Sequence, residues 1–266
     1  MKVVRSTSNP GVKETLRLRN RRDRRATGLF LVEGFREIRR ALDAKVEMQT
    51  LWFCPELYLG ESEGEIVDRA AVARADTIQV AEAPFRKMAY RDRPEGLLAV
   101  CGQFDTSLER IEIGTSPLLL VVEAIEKPGN LGTMIRTATA AHADAVIVTD
   151  PTTDVFNPNV VRASIGTVFA MPIAVCRAGD AIAWLHEHGI AISASTPDAA
   201  IAHWDAPFGD RAAIVVGAEQ YGLSETWLAA AETKVRIPMP GDAIDSLNAA
   251  AAAAVLLYEA LRQRSL

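Results

Sequence analysis

The chain has 266 residues, of which 49% are hydrophobic and 24% are charged, and its formal net charge is −5. This length suits one large domain or two modest ones, and no apolar run reaches the ~20 residues of a membrane-spanning helix. The N-terminus lacks an apolar signal region, so we expect a cytoplasmic protein without membrane contact. The three cysteines and four histidines show no metal-ligand spacing, and we expect no metal site.

The first 25 residues are strongly basic. They hold nine Lys or Arg residues against two acidic ones, a net charge of +7, while the remaining 241 residues carry −12. A basic segment on an acidic body favours contact with a polyanion, although a solvated helix face is the alternative. We predict a basic helical arm over 1–27 that starts after Asn9-Pro10. Its candidate phosphate contacts are Arg17, Arg21, Arg22, Arg24 and Arg25.

Residues 28–103 predict a small α/β domain. Short apolar strands at 30–32, 51–54, 77–80 and 96–100 alternate with helical segments at 34–42, 66–73 and 84–88. Residues 104–117 are charged, carry Gly114 and Pro117 and lack periodicity, so we predict a linker there.

Residues 118–266 predict a second α/β domain with a parallel sheet. Buried strands at 118–122, 145–148, 171–175, 190–193, 213–216 and 235–237 alternate with helices at 131–141, 158–164, 181–187, 225–228 and 247–262. Ligands of open parallel sheets bind at the carboxyl ends of the strands, so functional side chains should follow strands directly.

The first such cluster spans residues 126–138, where a strand leads through Pro128-Gly129 into a helix. Gly129 and Gly132 would let the backbone approach a ligand, and the helix N-terminus favours an anion. Ordinary turn chemistry is the alternative for the glycines. Arg136 lies among small apolar residues, where a charged group needs an anionic or polar partner. The fingerprint G-x-G-x-x-G is absent, which argues against a nucleotide-binding oxidoreductase.

Two further clusters follow other strands. Gly217 and Glu219 come directly after the strand at 213–216, and Ser224 then suits a helix N-cap. Ser246 and Asn248 precede a helix of alanine and leucine whose small side chains favour close packing. A fourth stretch, 154–166, carries Arg162 and Ser164. Helix capping, capped turns and surface charge are the alternatives for each stretch taken alone.

These clusters, in this order, resemble the SpoU (TrmH-like) branch of the SPOUT RNA methyltransferases. The family's motif N-x-G-x-x-x-R-x-A is matched by Asn130, Gly132, Arg136 and Ala138, and its motif R-x-S-x-G by Arg162, Ser164 and Gly166. The motif G-x-E-x-x-G-L is matched by Gly217, Glu219, Gly222 and Leu223. The motif I-P-M followed by S-L-N is matched by Ile237 to Met239 with Ser246 to Asn248. The likeness covers about 118–264, and 28–103 resembles the family's L30e-like substrate-binding domain.

The resemblance implies a C-terminal trefoil-knot domain, a homodimer with an active site drawn from both subunits, and S-adenosylmethionine as cofactor. The implied cofactor-binding residues are Thr196, Gly217, Ile237, Met239 and Leu247. Two departures are one extra residue in the 238–245 loop and Ala249-Ala250 in place of the usual Val-Ser.

The implied reaction is methyl transfer to a ribose 2′-hydroxyl, which makes RNA the substrate. Arg136 would stabilise the developing alkoxide, because a guanidinium is already protonated and is a poor proton acceptor. Asn130 would position the ribose or Arg136, Glu219 would orient Arg136 or its dimer mate, and Ser246 and Asn248 would order the pocket. Arg162 and Ser164 would join the basic arm in binding RNA. We expect 23S rRNA as the target, the alternatives being a tRNA methyltransferase of the same fold or a non-catalytic RNA-binding member.

Overall fold

The computed structural model describes residues 3–240 and 246–265. The described chain forms two compact units that interleave in sequence. One unit runs to Phe104 and includes Asp154–Ala170, and the other consists of Asp105–Thr153 and the chain from Met171 onward. Among the described residues, no helix combines the length and apolar character needed to cross a membrane.

The first unit opens with two short helices, α1 (Pro10–Arg17) and α2 (Arg21–Thr27), where the sequence predicted one helical arm. Asn9 caps α1 by accepting from the N–H groups of Gly11 and Val12. The helix ends because Leu18 is buried and the carbonyls of Leu18 and Arg19 turn toward the Arg24 guanidinium, at 3.0 and 2.8 Å.

A mixed four-stranded sheet forms the body of this unit. Its strands are β1 (Leu29–Glu33), β2 (Met48–Phe53), β3 (Asp76–Gln79) and β4 (Leu97–Gly102), in the order β1-β4-β2-β3. Strand β4 is antiparallel to β1 and β2, and β3 is parallel to β2. The accompanying helices are α3 (Phe35–Asp43), α4 (Glu63–Val72) and α5 (Glu82–Met88).

The segment 154–170 belongs to this first unit by its packing. The rings of Phe156 and Phe169 lie 5.1 and 6.1 Å from the ring of Phe30 on β1. Helix α7 (Pro158–Ala163) begins at Asn157, whose side chain accepts from Asn159 N. The predicted bounds placed this segment within 118–266, and the aromatic side chains explain why it packs elsewhere. The predicted linker at 104–117 stays a prediction.

The second unit contains, within the described residues, a seven-stranded sheet that is parallel throughout, in the order β7-β6-β5-β10-β8-β11-β9. The strands are β5 (Leu118–Glu123), β6 (Ala145–Thr149), β7 (Ile173–Cys176), β8 (Ala191–Ser195), β9 (Ile201–Ala202), β10 (Ala212–Val216) and β11 (Thr233–Arg236). The helices are α6 (Pro128–Ala140), α8 (Ala178–Glu187), α9 (Glu225–Ala230) and α10 (Ala249–Arg264).

The strand order reverses between β5 and β8. From β5 the chain moves outward through β6 to β7, returns to β8, and later inserts β10 between β5 and β8. Val122 and Val216 are register partners, so the carboxyl ends of β5 and β10 lie side by side. Such a reversal opens a crevice beyond the strand ends, where ligands bind in this class of fold.

Helix α10 packs against α6 and β10 through a face of buried residues. Ala253, Leu256, Leu257 and Ala260 are each fully buried, and the alanines allow the close approach predicted from the sequence. The predicted fold class is confirmed as an α/β protein with an N-terminal mixed sheet and a C-terminal parallel sheet. The L30e likeness and the trefoil knot stay predictions. The 238–245 loop, with its extra residue, includes residues 241–245, which lie outside the described residues.

Candidate active site

Four side chains from three chain segments meet at the carboxyl ends of β5 and β10. Glu219 Oε1 accepts hydrogen bonds from Asn130 Nδ2, at 2.9 Å, and from Asn248 Nδ2. The Lys127 ammonium forms an ion pair with Glu219 Oε2. Asn248 Nδ2 also lies 3.3 Å from Asn130 Oδ1. We call these four residues the Glu219 cluster, and in it both oxygens of the carboxylate have partners.

The orientation of Asn248 follows from its position at the start of α10. Its Oδ1 accepts from the N–H groups of Ala250 and Ala251, at 3.1 and 3.3 Å, and so satisfies two of the free donors of the helix. The amide nitrogen therefore points to Glu219 and Asn130. The sequence left open whether Asn248 is a helix cap or a site residue; in the structure its oxygen caps α10 and its nitrogen belongs to the Glu219 cluster, while its role in the site stays a prediction.

The cluster keeps Glu219 ionised. The hydrogen bond from the Lys127 ammonium, with a further one from Asn130, holds the pKa of Glu219 below its ordinary 4.5 against the opposing effect of burial. The same hydrogen bond raises the pKa of Lys127. Because each oxygen of Glu219 already accepts at least one hydrogen bond, this carboxylate suits the role of an organising anion better than that of a proton acceptor.

The turn after β10 fixes the position of Glu219. Gly222 N donates to Ala218 O at 3.0 Å and closes a five-residue turn, with Gly222 at a φ of 66°. A Cβ on Gly217 would lie 2.2 Å from Gly222 O, so only glycine allows the two backbone segments to approach this closely. Ser224 stands at the predicted N-cap of α9, but its side chain makes no capping hydrogen bond.

The predicted cofactor-binding residues follow neighbouring strands of the sheet. Thr196, Gly217 and Ile237 come directly after β8, β10 and β11, which are adjacent in the order β10-β8-β11. Ile237, Met239 and Leu247 are half-buried, and neither Met239 nor Leu247 has a hydrogen bond to another described residue.

This arrangement fits S-adenosylmethionine. An adenosyl group needs apolar contacts for its ring and a few polar partners for orientation, and half-buried apolar side chains provide the first, while main-chain groups without a hydrogen bond to another described residue provide the second. The main-chain N–H of Thr196 is not available to a ligand, because it donates to Val235 O at 2.9 Å and so belongs to the sheet.

Two predicted catalytic residues stand apart from the Glu219 cluster. Arg136 is exposed on α6, and its guanidinium has no hydrogen bond or ion pair with any residue in the described part of the chain. It follows Asn130 by six residues, which places it roughly 120° around the helix from that side chain at ~100° per residue. The predicted contact between Glu219 and Arg136 therefore does not form within one chain. Ser246 is exposed and likewise has no hydrogen bond to another described residue.

Two of the predicted RNA contacts are buried, which corrects those assignments. Arg24 is 1% exposed, because its guanidinium pairs with Asp154 at 2.6 Å and caps the carbonyls at the end of α1. Ser164 is fully buried, and its hydroxyl donates to Val161 O at 2.9 Å. Neither side chain can reach a phosphate in this conformation. The other predicted contacts are exposed, namely Arg17, Arg21, Arg22, Arg25 and Arg162.

Lys127 is the member of the cluster that the sequence did not single out. It occupies the N-cap position of α6, and a cation at a helix N-terminus is unfavourable unless an anion lies nearby. The unfavourable position of this cation was the signal in the sequence by which Lys127 could have been found. Its partner could not be named from sequence, because Glu219 is 92 residues away and is brought close by the pairing of β5 with β10.

Comparison with known proteins identifies the families that the two parts of the chain match. The SpoU rRNA Methylase family matches residues 117–258, and the MRM3-like substrate binding domain matches residues 9–99. The 23S rRNA (uridine(2479)-2′-O)-methyltransferase of Streptomyces viridochromogenes is 33% identical over 93% of this chain and 87% of its own length.

Two solved structures are similar along the whole chain. A crystal structure of an RNA 2′-O ribose methyltransferase is 40% identical, with a TM-score of 0.87 and 100% of both chains covered. An AdoMet-bound rRNA methyltransferase from Sinorhizobium meliloti is 30% identical, with a TM-score of 0.90 and 98% of both chains covered.

The parallel sheet, the polar cluster at its carboxyl edge and these likenesses define an S-adenosylmethionine-dependent RNA 2′-O-ribose methyltransferase. The predicted enzyme class and cofactor are thereby confirmed. The chain belongs to the SpoU rRNA methylase family, as its motifs predicted.

Proposed function

We propose that this chain methylates a ribose 2′-hydroxyl of 23S rRNA and acts in the cytoplasm. The Glu219 cluster carries the proposal, because it gathers the predicted Asn130, Glu219 and Asn248 at the carboxyl edge of the sheet. The Streptomyces relative, a 23S rRNA methyltransferase, matches along nearly the whole chain. Exposed arginines on α1 and α2 supply sequence-independent phosphate contacts.

S-Adenosylmethionine supplies an electrophilic methyl group on its sulfonium. Ile237, Met239 and Leu247 would hold the adenosyl part through apolar contact and main-chain groups, and Gly217 would keep the turn after β10 close to the strand end. Thr196 would contribute through its side chain or carbonyl, since its N–H is already paired.

Arg136 is the residue we assign to the reacting oxygen. A guanidinium already carries its full complement of protons, so it donates hydrogen bonds to an alkoxide but does not accept its proton. Arg136 would therefore stabilise the developing charge and hold a neighbouring phosphate, and that phosphate would pass the proton on to water. Asn130 and Asn248 would position the ribose, with Glu219 holding both amides in place and Ser246 completing the pocket.

We propose a homodimer in which Arg136 of one protomer completes the site of the other. The two helices α6 and α10 pack together and leave an outward face of small and apolar groups, including Thr133, Thr137, Ala251 and the half-exposed Tyr258. The hydroxyls of Thr133 and Thr137 donate to carbonyls four residues earlier, so neither needs a hydrogen-bond acceptor outside the helix. A self-complementary face of this kind suits a two-fold interface.

Loss of the guanidinium tests the assignment of Arg136. We expect Arg136→Ala to abolish tritiated methyl transfer to rRNA while S-adenosylmethionine binding persists. The free energy of unfolding should change by less than ~0.5 kcal/mol, as is usual for substitutions of exposed surface side chains. Arg136→Lys keeps the charge but not the planar donors, and we expect it to remain impaired. Turnover by purified Arg136→Ala would overturn the assignment.

Co-expression tests the composite site. A heterodimer of Arg136→Ala with Glu219→Ala has one intact site if Arg136 acts across the interface and none if it acts within its own chain. Random pairing should then restore about a quarter of wild-type activity, because half of the dimers are mixed and each has one of two sites intact. No recovery in a preparation shown to contain mixed dimers would refute the composite site.

The RNA target is tested by mapping 2′-O-methylation across 23S rRNA and tRNA with and without the protein. A new methyl group on 23S rRNA supports the proposal. A methyl group found on tRNA alone, or on no RNA, would favour the tRNA enzyme or the non-catalytic member respectively.

A further inference from the structure

Tyr221 is an exposed aromatic residue on the turn that carries Glu219. Its side chain retains 76% exposure. Among the described residues it has no ring contact, hydrogen bond or ion pair. Because most of its side chain lies in water, this ring is not part of the hydrophobic core, and its position on the turn calls for a different account.

Tyr221 lies on a hydrogen-bonded turn. The hydrogen bond from Gly222 N to Ala218 O closes the loop around residues 219–221, and Leu223, 8% exposed, anchors its exit. The backbone at Gly217 and Gly222 is too closely packed to admit a Cβ on Gly217. A ring on a fixed backbone loses little conformational freedom when it binds a ligand, which favours affinity.

The turn also places the ring beside the reacting site. Tyr221 lies two residues from Glu219, a separation of at most ~7 Å between Cα atoms. Glu219 is itself fixed by Lys127, Asn130 and Asn248. A nucleotide held at the Glu219 cluster would thus have its base, or that of its neighbour, within reach of the Tyr221 ring.

We propose that Tyr221 is a stacking position for an unpaired base of the RNA substrate, next to the nucleotide that is methylated. Unpaired bases are recognised in RNA by stacking on aromatic side chains, because every base offers a flat π face. The phenol hydroxyl is free to remain in water while the ring covers the base. The inference rests on an RNA substrate, and on the proposed 23S rRNA only for the choice of probe.

The test uses the full chain and unmodified 23S rRNA transcribed in vitro. We expect Tyr221→Ala to raise the KM for RNA about 5- to 150-fold, the equivalent of 1–3 kcal/mol of base stacking. Tyr221→Phe and Tyr221→Trp should stay near wild type, whereas Tyr221→Leu, which is apolar but not aromatic, should resemble alanine. S-Adenosylmethionine affinity and thermal stability should not change. Trp204→Ala is the matched control, since Trp204 is also exposed, at 53%, but lies outside the turn.

A double-mutant cycle identifies the stacked base. Single abasic nucleotides are placed in turn around the methylated position of a short RNA substrate. One of them should reduce wild-type binding as much as Tyr221→Ala does, and should have no further effect on that variant. The inference is overturned if no abasic position couples to Tyr221, if Tyr221→Phe is as impaired as Tyr221→Ala, or if the loss follows a change in oligomeric mass. If methyl transfer to 23S rRNA fails, filter binding of the transcript still measures the RNA affinity that Tyr221 contributes. A failure of the proposed function can therefore be distinguished from a failure of this inference.

Discussion

Replacing Asn248 separates the two contacts of one side chain, the cap on α10 and the hydrogen bond to Glu219. Asn248→Ala removes both. Loss of an N-cap costs ~1 kcal/mol, and loss of a hydrogen bond to a carboxylate costs a further ~1 kcal/mol once discounted for the 27% exposure of the Glu219 side chain. We therefore expect Asn248→Ala to lower the free energy of unfolding by about 2 kcal/mol. Asn248→Ser keeps a cap but is too short to reach Glu219, and we expect about half of that loss.

The aspartate variant tests the electrostatic part. Asn248→Asp keeps the cap but places a second carboxylate against Glu219, so the pair should hold a proton to higher pH than either group alone. A raised folded-state pKa gives stability that is present at low pH and lost as the pH rises through that pKa. In the wild type the contribution of Glu219 to stability depends on pH in the opposite direction. Its pKa is lowered, so its stabilisation is lost as the pH falls through that pKa. The deficit of Asn248→Asp relative to wild type should thus grow from about pH 4 upward.

Two measurements decide the outcome. Urea unfolding from pH 4 to 8 gives the differences between each variant and wild type, in which the titration of unrelated groups cancels. Hydrogen exchange at Ala250 and Ala251 localises the loss, and a local opening made 2 kcal/mol easier would speed exchange about 30-fold. A serine variant as unstable as the alanine variant, or a deficit of Asn248→Asp that is constant with pH, would refute the reasoning.

Two other predictions, each with a control substitution, follow from the packing and the charges. Gly217→Ala puts a Cβ 2.2 Å from Gly222 O, so it should lower the free energy of unfolding by ~3 kcal/mol and remove most of the activity. The control Gly129→Ala places its Cβ where no atom lies within 4 Å, and its stability should be close to that of the wild type. Equal urea midpoints for the two variants would contradict this reasoning. Burial raises the pKa of Glu33 from its ordinary 4.5, so its contribution to stability is present below that value and is lost as the pH rises through the raised pKa. Glu33→Gln should flatten the fall in stability above pH 4.5, while Glu65→Gln, on the exposed side of α4, should leave it unchanged.

The carboxyl edge of the sheet could be predicted from sequence because its signals are local. Buried strands, the turns after them and polar residues at fixed spacing are enough to place Asn130, Glu219 and Asn248 in one region of the sheet. Strand β9 was missed because Ile201–Ala202 is too short to give a periodic pattern. Its position at the edge of the sheet depends on pairing with β11, which is a long-range contact.

The errors arose where a partner is distant in sequence. A run of arginines looks solvated as a whole, and nothing local marks Arg24 as the one that is buried, since Asp154 is 130 residues away. Ser164 looked like a ligand contact because its motif is functional by resemblance, yet its hydroxyl serves its own helix end. Lys127 was overlooked for the same reason as Arg24, its anionic partner being set by the register of two strands.

The arrangement of the Glu219 cluster constrains the chemistry that the site can perform. Its carboxylate joins segments that are 89 and 29 residues apart from it in sequence, so its loss would release Asn130 and the start of α10 together. A group with this many donors gives up stabilising contacts if it takes a proton, and its lowered pKa expresses that cost. Arg136 cannot take the proton either. The proposed mechanism therefore assigns the proton of the 2′-hydroxyl to neither group; an oxygen of the RNA phosphate that Arg136 would hold would pass it on to water.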